Sequence, residues 1–180
     1  MTIHDHSAPS HASLSDLRIR QVVRDDLHSL EWDGLFTHFR RVFWKSYVEQ
    51  QLGDRHLLVA EINQRIVGRL FILHRRSQFK HPPAQRRGYL YSFYVLEGYR
   101  GFGIGTALLQ AAEDHLRGLQ IAVASISVAR TNLAAKRLYQ RHGYVVTGED
   151  SGEWSYLDHQ GVLRKVTEPC YILEKNLKDL

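Results

Sequence analysis

EGYRGFGIGTALLQ, residues 97–110, sets Gly101, Gly103 and Gly105 on alternate positions behind Arg100 and directly ahead of an apolar, alanine-containing run. Glycine costs a helix about 1 kcal/mol relative to alanine, so its repetition at a helix start calls for a reason. A phosphate loop of the nucleotide-hydrolase type needs four residues between its glycines and then Lys-Ser/Thr, and no lysine follows here. A dinucleotide fingerprint needs G-x-G-x-x-G with an acid at the end of the next strand, but the spacing is G-x-G-x-G and the next strand ends in SVART. A purely structural turn would be served by two glycines. The remaining reading is an anion cradle, in which several backbone N–H groups at a helix start point one way and the helix dipole adds partial positive charge. Arg100 supplies a full charge beside them. A diphosphate fits such a surface.

Outward from this stretch, GYLYSFYVL (88–96) is an aromatic and β-branched strand with the character of one buried on both faces. The glycines lead into a helix whose broad apolar face carries Ile104, Leu108, Ala112 and Leu116, ended by Gly118. QIAVASISV (120–128) is a further strand. Asn132 or Thr131 can cap the next helix, in which Ala135, Leu138 and Tyr139 share a face and which Gly143 ends. YVVTG and the closing CYILEKNL are strands. Towards the N-terminus, HLLVAEI and RIVGRLFIL are separated only by Asn63-Gln64, a hairpin signal. Residues 27–52 place Phe36, Phe39, Phe43, Tyr47 and Leu52 at helical spacing and predict one or two amphipathic helices. LRIRQVV alternates as a strand from Leu17. The polar stretch 150–168 reads as loop. Residues 1–16, with His4, His6 and His11, read as a flexible tail, and residues 17–180 as one mixed α/β domain.

The 180 residues are 43% hydrophobic and 24% charged, a globular composition. No apolar run can span a bilayer and no signal-peptide layout opens the chain, so the cytoplasm is the expected location and a membrane is not an expected partner. Cys170 is the single cysteine, which rules out an intrachain disulfide and a cysteine-based metal cluster, and no metal site is expected. The net charge of +5 suits an anionic ligand. Its one concentration is RRSQFKHPPAQRR (75–87), a proline-bearing loop that reads as a solvated basic surface.

Arg100-x-x-Gly103-x-Gly105, preceded by YSFYVLEGY and followed by TALLQAAEDHL, resembles the acetyl-CoA signature of the GNAT superfamily of N-acetyltransferases. A second element about thirty residues on, NLAAKRLYQRHGYVVTG, also resembles that family, with Asn132, Ala135, Leu138, Tyr139, Gly143 and Tyr144 in matching places. The resemblance implies a single-domain fold with a mostly antiparallel central sheet flanked by helices. It implies acetyl-CoA as acyl donor, its pyrophosphate held on the backbone from Arg100 and Gly101 through Phe102, Gly103, Ile104, Gly105 and Thr106. The pantetheine arm would lie along the strand end at Val95 and Leu96, where an amide would polarise the thioester carbonyl. Asn132 would contact the cofactor or cap its helix. Tyr139 would protonate the departing thiolate, and helical spacing alone would equally make it a core aromatic.

Many relatives carry an acid in the strand before the cradle, and here Tyr91 and Ser92 stand in that place. The candidate relays are Tyr91, Glu61 and Glu97, or an acceptor amine that deprotonates easily. The implied activity is direct acetyl transfer to a primary amine, borne by a small molecule, a protein N-terminus or a lysine; dimers are common among such relatives. Two rivals from other classes are a CoA-binding module without chemistry, and a nucleic-acid binder using the basic loop. Tyr139 counts against the first, and the lack of any nucleic-acid motif against the second.

Overall fold

The computed structural model describes residues 16–75, 77, 80 and 86–178. The tail histidines His4, His6 and His11, and much of the basic loop 75–87, lie outside the described residues. The elements in order are β1 (Arg18–Gln21), α1 (Arg40–Gln51), β2 (Arg55–Ile62), β3 (Arg65–Leu73), β4 (Arg87–Val95), α2 (Ile104–Gly118), β5 (Val123–Ala129), α3 (Leu133–Arg141), β6 (Val145–Asp150), β7 (Glu153–Leu157), β8 (Leu163–Thr167) and β9 (Cys170–Asn176). Seven strands form one sheet in the order β1-β2-β3-β4-β5-β9-β6. Every neighbouring pair is antiparallel except β4 and β5, so the fold is the mixed, mostly antiparallel α/β sheet the resemblance implies.

The β2–β3 turn has Asn63 and Gln64 both at positive φ, 48° and 61°, the twist-matched geometry of a two-residue hairpin. Alternation along β2 and β3 then divides the core. Leu58, Ala60, Leu70 and Ile72 pack with α2 on one face, while Leu57, Val59 and Phe71 pack with Phe43 of α1 on the other. Gly88, at the start of β4, lies under α2 so closely that a Cβ there would stand 2.4 Å from Leu116 Cδ2. That approach seats α2 over the sheet and so fixes where its N-terminus ends up.

Two expectations need correction. The segment 27–52 is helical only from Arg40; before it come short 3-10 turns at Arg24–Asp26, Ser29–Glu31 and Thr37–Phe39. Trp32 and Asp33 at φ 43° and 53°, followed by Gly34 at 101°, break any continuous helix. The stretch 150–168 contains a two-stranded hairpin, β7–β8, set apart from the main sheet. Its turn is organised by buried Asp158, which accepts from the amides of Gln160 and Val162 and from Arg164 Nε at 2.7 Å. Burial pushes the Asp158 carboxyl upward, but these donors outweigh it and hold the group below its ordinary range.

Candidate active site

β4 and β5 are registered only from Arg87–Val123 to Leu90–Ile126. Beyond that β4 stays with β3 as far as Val95, and β5 stays with β9 as far as Ala129. The cause is a bulge: Phe71 faces Tyr91 and Arg69 faces Tyr94, so Ser92 and Phe93 together oppose Leu70. Ser92 takes φ 52°, bending the strand away from β5. The two parallel strands part, and a gap opens between their C-terminal halves.

The cradle segment closes one end of this gap. After a turn at Glu97–Tyr99, Gly101 and Gly103 adopt φ of 83° and 82°, and a Cβ at either would meet only open space. Both are there for backbone conformation. Gly105 differs: it is helical, and a Cβ there would touch Leu138 and Phe93 at an ordinary 3.5 Å. The first bond of α2 runs from the Ala107 amide to the Gly103 carbonyl at 3.0 Å, and among the described residues no backbone carbonyl accepts from the amides of residues 101–106. The side chain of Ile104 is buried in the core, so that residue offers its amide alone. Thr106 Oγ1 lies 3.1 Å from His142 Nε2, linking the start of α2 to the end of α3. Arg100 folds back onto the strand: its Nε donates to the Val95 carbonyl at 2.9 Å, and its guanidinium lies over the Tyr94 ring.

The strand-end residues are not equivalent. Leu96 donates its amide to the Val67 carbonyl and accepts from Tyr99, so both its backbone groups are engaged within the chain. Backbone groups alternate along a strand, so the Val95 amide faces the opposite way, towards the gap. Val95 rather than Leu96 has an amide to offer.

Asn132 caps α3, its Oδ1 accepting from the Ala135 amide at 3.1 Å. Tyr139, on the inner face of that helix, is 5% exposed and packs between Phe93 and Tyr144. Among the described residues its hydroxyl has no hydrogen-bond partner. Burial, with a smaller contribution from the Tyr89 phenol, pushes its pKa well above the ordinary tyrosine value. The group stays protonated at neutral pH and can give up a proton only to a strong base.

The residues considered as proton acceptors are engaged or remote. Glu61 is tied to Arg20, which also binds Asp26. The Tyr91 hydroxyl donates to Ser46 Oγ at 3.2 Å on the α1 face, and burial pushes its pKa up. Ser92 Oγ accepts from Arg69 Nε at 3.0 Å. Glu97 is exposed in the turn beyond the strand.

On the α1 face, beside the parted end of β4, the chain builds an aromatic wall. Phe36 meets Tyr94 edge-on at 4.9 Å, Trp32 lies 5.4 Å from Tyr94, and Tyr156 of β7 packs 4.8 Å from Phe39. Trp154 stacks on Tyr156. Phe36 and Phe39 were legible as apolar positions, but their junction with β7 was not. Arg69, the one cation inside the apolar run of β3, sits behind this wall at 2% exposure, where burial pushes its guanidinium down to about 9. Its place in mid-strand was the only signal in the sequence.

Comparison with known proteins bears on this geometry. Residues 23–144 match the family described as Acetyltransferase (GNAT) family. An uncharacterized N-acetyltransferase of Archaeoglobus fulgidus is 29% identical over 133 residues, 68% of this chain and 89% of its own length. The crystal structure of an N-acetyltransferase from Staphylococcus aureus Mu50 superposes with a TM-score of 0.69 at 16% identity, covering 90% of this chain and 99% of that one. The yncA structure from Salmonella typhimurium, solved with its cofactor acetyl-CoA, superposes with a TM-score of 0.66 at 19% identity, covering 92% and 96%. Among the described residues no helix is long and apolar enough to cross a membrane. With a family match over most of the chain, and a parted parallel strand pair closed by a glycine-built nest of open amides, the chain belongs to the GNAT family of acetyltransferases.

Proposed function

We propose that this chain transfers an acetyl group from acetyl-CoA directly to a primary amine. What supports the reading is a gap between parted parallel strands flanked by the open amides of 101–106, with Tyr139 packed against Phe93 of the bent strand. The cradle residues suit a pyrophosphate, because the amides of 101–106 have no backbone acceptor among the described residues and a Cβ at Gly101 or Gly103 would meet only open space. When bound, acetyl-CoA supplies a thioester as the activated acyl group. The Val95 amide donates towards the carbonyl oxygen, where negative charge grows. Arg100 neutralises charge at the cradle after its guanidinium swings from the Val95 carbonyl, and Asn132 holds the end of α3 in place. Tyr139, protonated through neutral pH, hands its proton to the departing sulfur.

Among the described residues Glu61 is tied to Arg20 and Glu97 stands exposed in the turn beyond the strand, which bears on the acceptor itself. Baring a lysine amine of pKa ~10.4 at neutral pH costs about 4–5 kcal/mol, whereas an α-amino group near pKa 8 costs only about 1–1.5. An α-amine or a similarly acidic ammonium is the acceptor this site handles best. The test is CoA-thiol release over a panel of amines, for wild type and Tyr139→Phe. The expected result is a loss of at least about 100-fold in kcat, with acetyl-CoA affinity unchanged within about twofold. An unchanged kcat would remove Tyr139 from the chemistry, and absence of thiol release with any amine despite acetyl-CoA binding would favour a module without chemistry.

A further inference from the structure

Among the described residues, five charged side chains other than histidine are buried: Asp26, Glu31, Glu113, Asp158 and Arg69. The four acids each hold a cation, namely Arg20, Arg40, Lys175 with Arg117, and Arg164. Arg69 is the exception; among the described residues it has no carboxylate within ion-pair distance. Of its five N–H donors, Nε is given to Ser92 Oγ and one Nη1 hydrogen to the Leu30 carbonyl, both at 3.0 Å. Nη2 donates to nothing described, yet it is not among the buried atoms sealed away without a partner, so this edge of the guanidinium keeps access to solvent. The group lies over the rings of Phe36, Trp32 and Phe43 at 4.2, 4.6 and 4.8 Å, and over Tyr94 at 5.9 Å. Such rings attract the charge but accept none of its in-plane hydrogen bonds. What remains is a forked donor edge in an aromatic surround, the pairing geometry of a carboxylate.

Its location gives this edge a purpose. Arg69 is the cross-strand partner of Tyr94, the residue before Val95, and Ser92, which orients its Nε, is the positive-φ residue of the bulge that parts β4 from β5. The bulge that bends β4 thus also supplies the hydroxyl that orients the arginine. Resting on the acetyl-transfer reading above, we propose that Arg69 recognises a carboxylate on the acceptor, so that the substrate is a small primary amine bearing a carboxyl group, with its apolar part against Trp32, Phe36 and Tyr94.

The test uses matched pairs on the full chain: the amino acids against their carboxamides, each assayed by CoA-thiol release, with acetyl-CoA affinity measured separately by calorimetry. The expected result is that at least one acid is used at least tenfold better than its amide in kcat/KM referred to the unprotonated amine, since the carboxylate raises the amine pKa, the difference lying mainly in KM. Arg69→Met abolishes that preference and Arg69→Lys restores part of it, while acetyl-CoA affinity holds. As a reading independent of turnover, 3-phenylpropanoate quenches tryptophan fluorescence through Trp32 in wild type, and 3-phenylpropanamide at the same concentration does not. Equal use of acids and amides, or acetylation of amines without any carboxyl preference, overturns the inference and leaves acetyl transfer intact. Failure to bind acetyl-CoA overturns the reading on which it rests. Should Arg69→Met not fold, the wild-type comparison of acids with amides decides alone.

Discussion

Tyr139 answers to two demands at once. Its ring belongs to the core beside Phe93 and Tyr144, and its hydroxyl is the one polar atom it brings there. Because burial raises its pKa, the phenol stays protonated across the working range; if it serves as the proposed proton donor, the pH–rate profile of wild type should show no tyrosine-derived fall below about pH 10. A fall near 9 that disappears in Tyr139→Phe would contradict this. The glycines separate in the same way. Gly103→Ala places a Cβ in the left-handed region, at a cost of about 1–2 kcal/mol, and distorts the amide nest. It should lower both Tm and acetyl-CoA affinity. Gly105→Ala adds a methyl at contact distance inside a helix and should leave Tm equal or higher. Thermal scans with and without acetyl-CoA on the two variants separate torsion from spacing. The torsional need was readable from the sequence, since few residues other than glycine sit at positive φ; that the three glycines divide into two roles was not.

Among the elements, the seat of α2 on β4 is the contact on which the cradle depends. Gly88→Ala drives a Cβ into Leu116, which is fully buried and cannot turn aside, so we expect a loss of about 1–3 kcal/mol, read as a lower urea midpoint with unchanged m. The helix α2 was legible because its apolar face recurs with helical period and glycines bound it. The segment 27–39 was misread because its aromatics also recur with that period. They do so to reach several partners, Arg69, Tyr94 and β7, through short turns rather than to line one helix face. The hairpin β7–β8 was missed because its strands are only five residues each and largely exposed, lying among polar residues and packing mainly through Trp154 and Tyr156 onto Phe39.

For the whole molecule, acid stability follows from histidines packed between elements. His56 of β2 stacks on His115 of α2 at 3.8 Å, with His74 beside them at 5.4 Å from His115. Burial, reinforced by their mutual repulsion when charged, pushes His56 down to about 4 and His115 to about 3. Unfolding frees these rings to titrate near 6.5, so between 6.5 and about 4 the unfolded chain binds more protons than the folded one. Stability is therefore full above 6.5 and falls as the pH drops through that window. The Tm decline from pH 7 to 4.5 should be steeper in wild type than in His115→Leu; equal declines would assign it to other groups.

What the sequence by itself determined was the donor side. The amide nest, its strand and helix, and the helix bearing Tyr139 are each local, and their chemistry is written in adjacent residues whose torsions and periodicities short-range sterics impose. What only the tertiary structure decided was the aromatic wall around Arg69. Segments around 32–43, 69, 92–94 and 154–156 are distant in the chain and meet because a bulge parts two strands and a hairpin folds over a turn. Whether Arg69 has a counterion depends on every acid the fold might bring near it, and such long-range neighbourhoods are fixed by packing, not by any local pattern of residues.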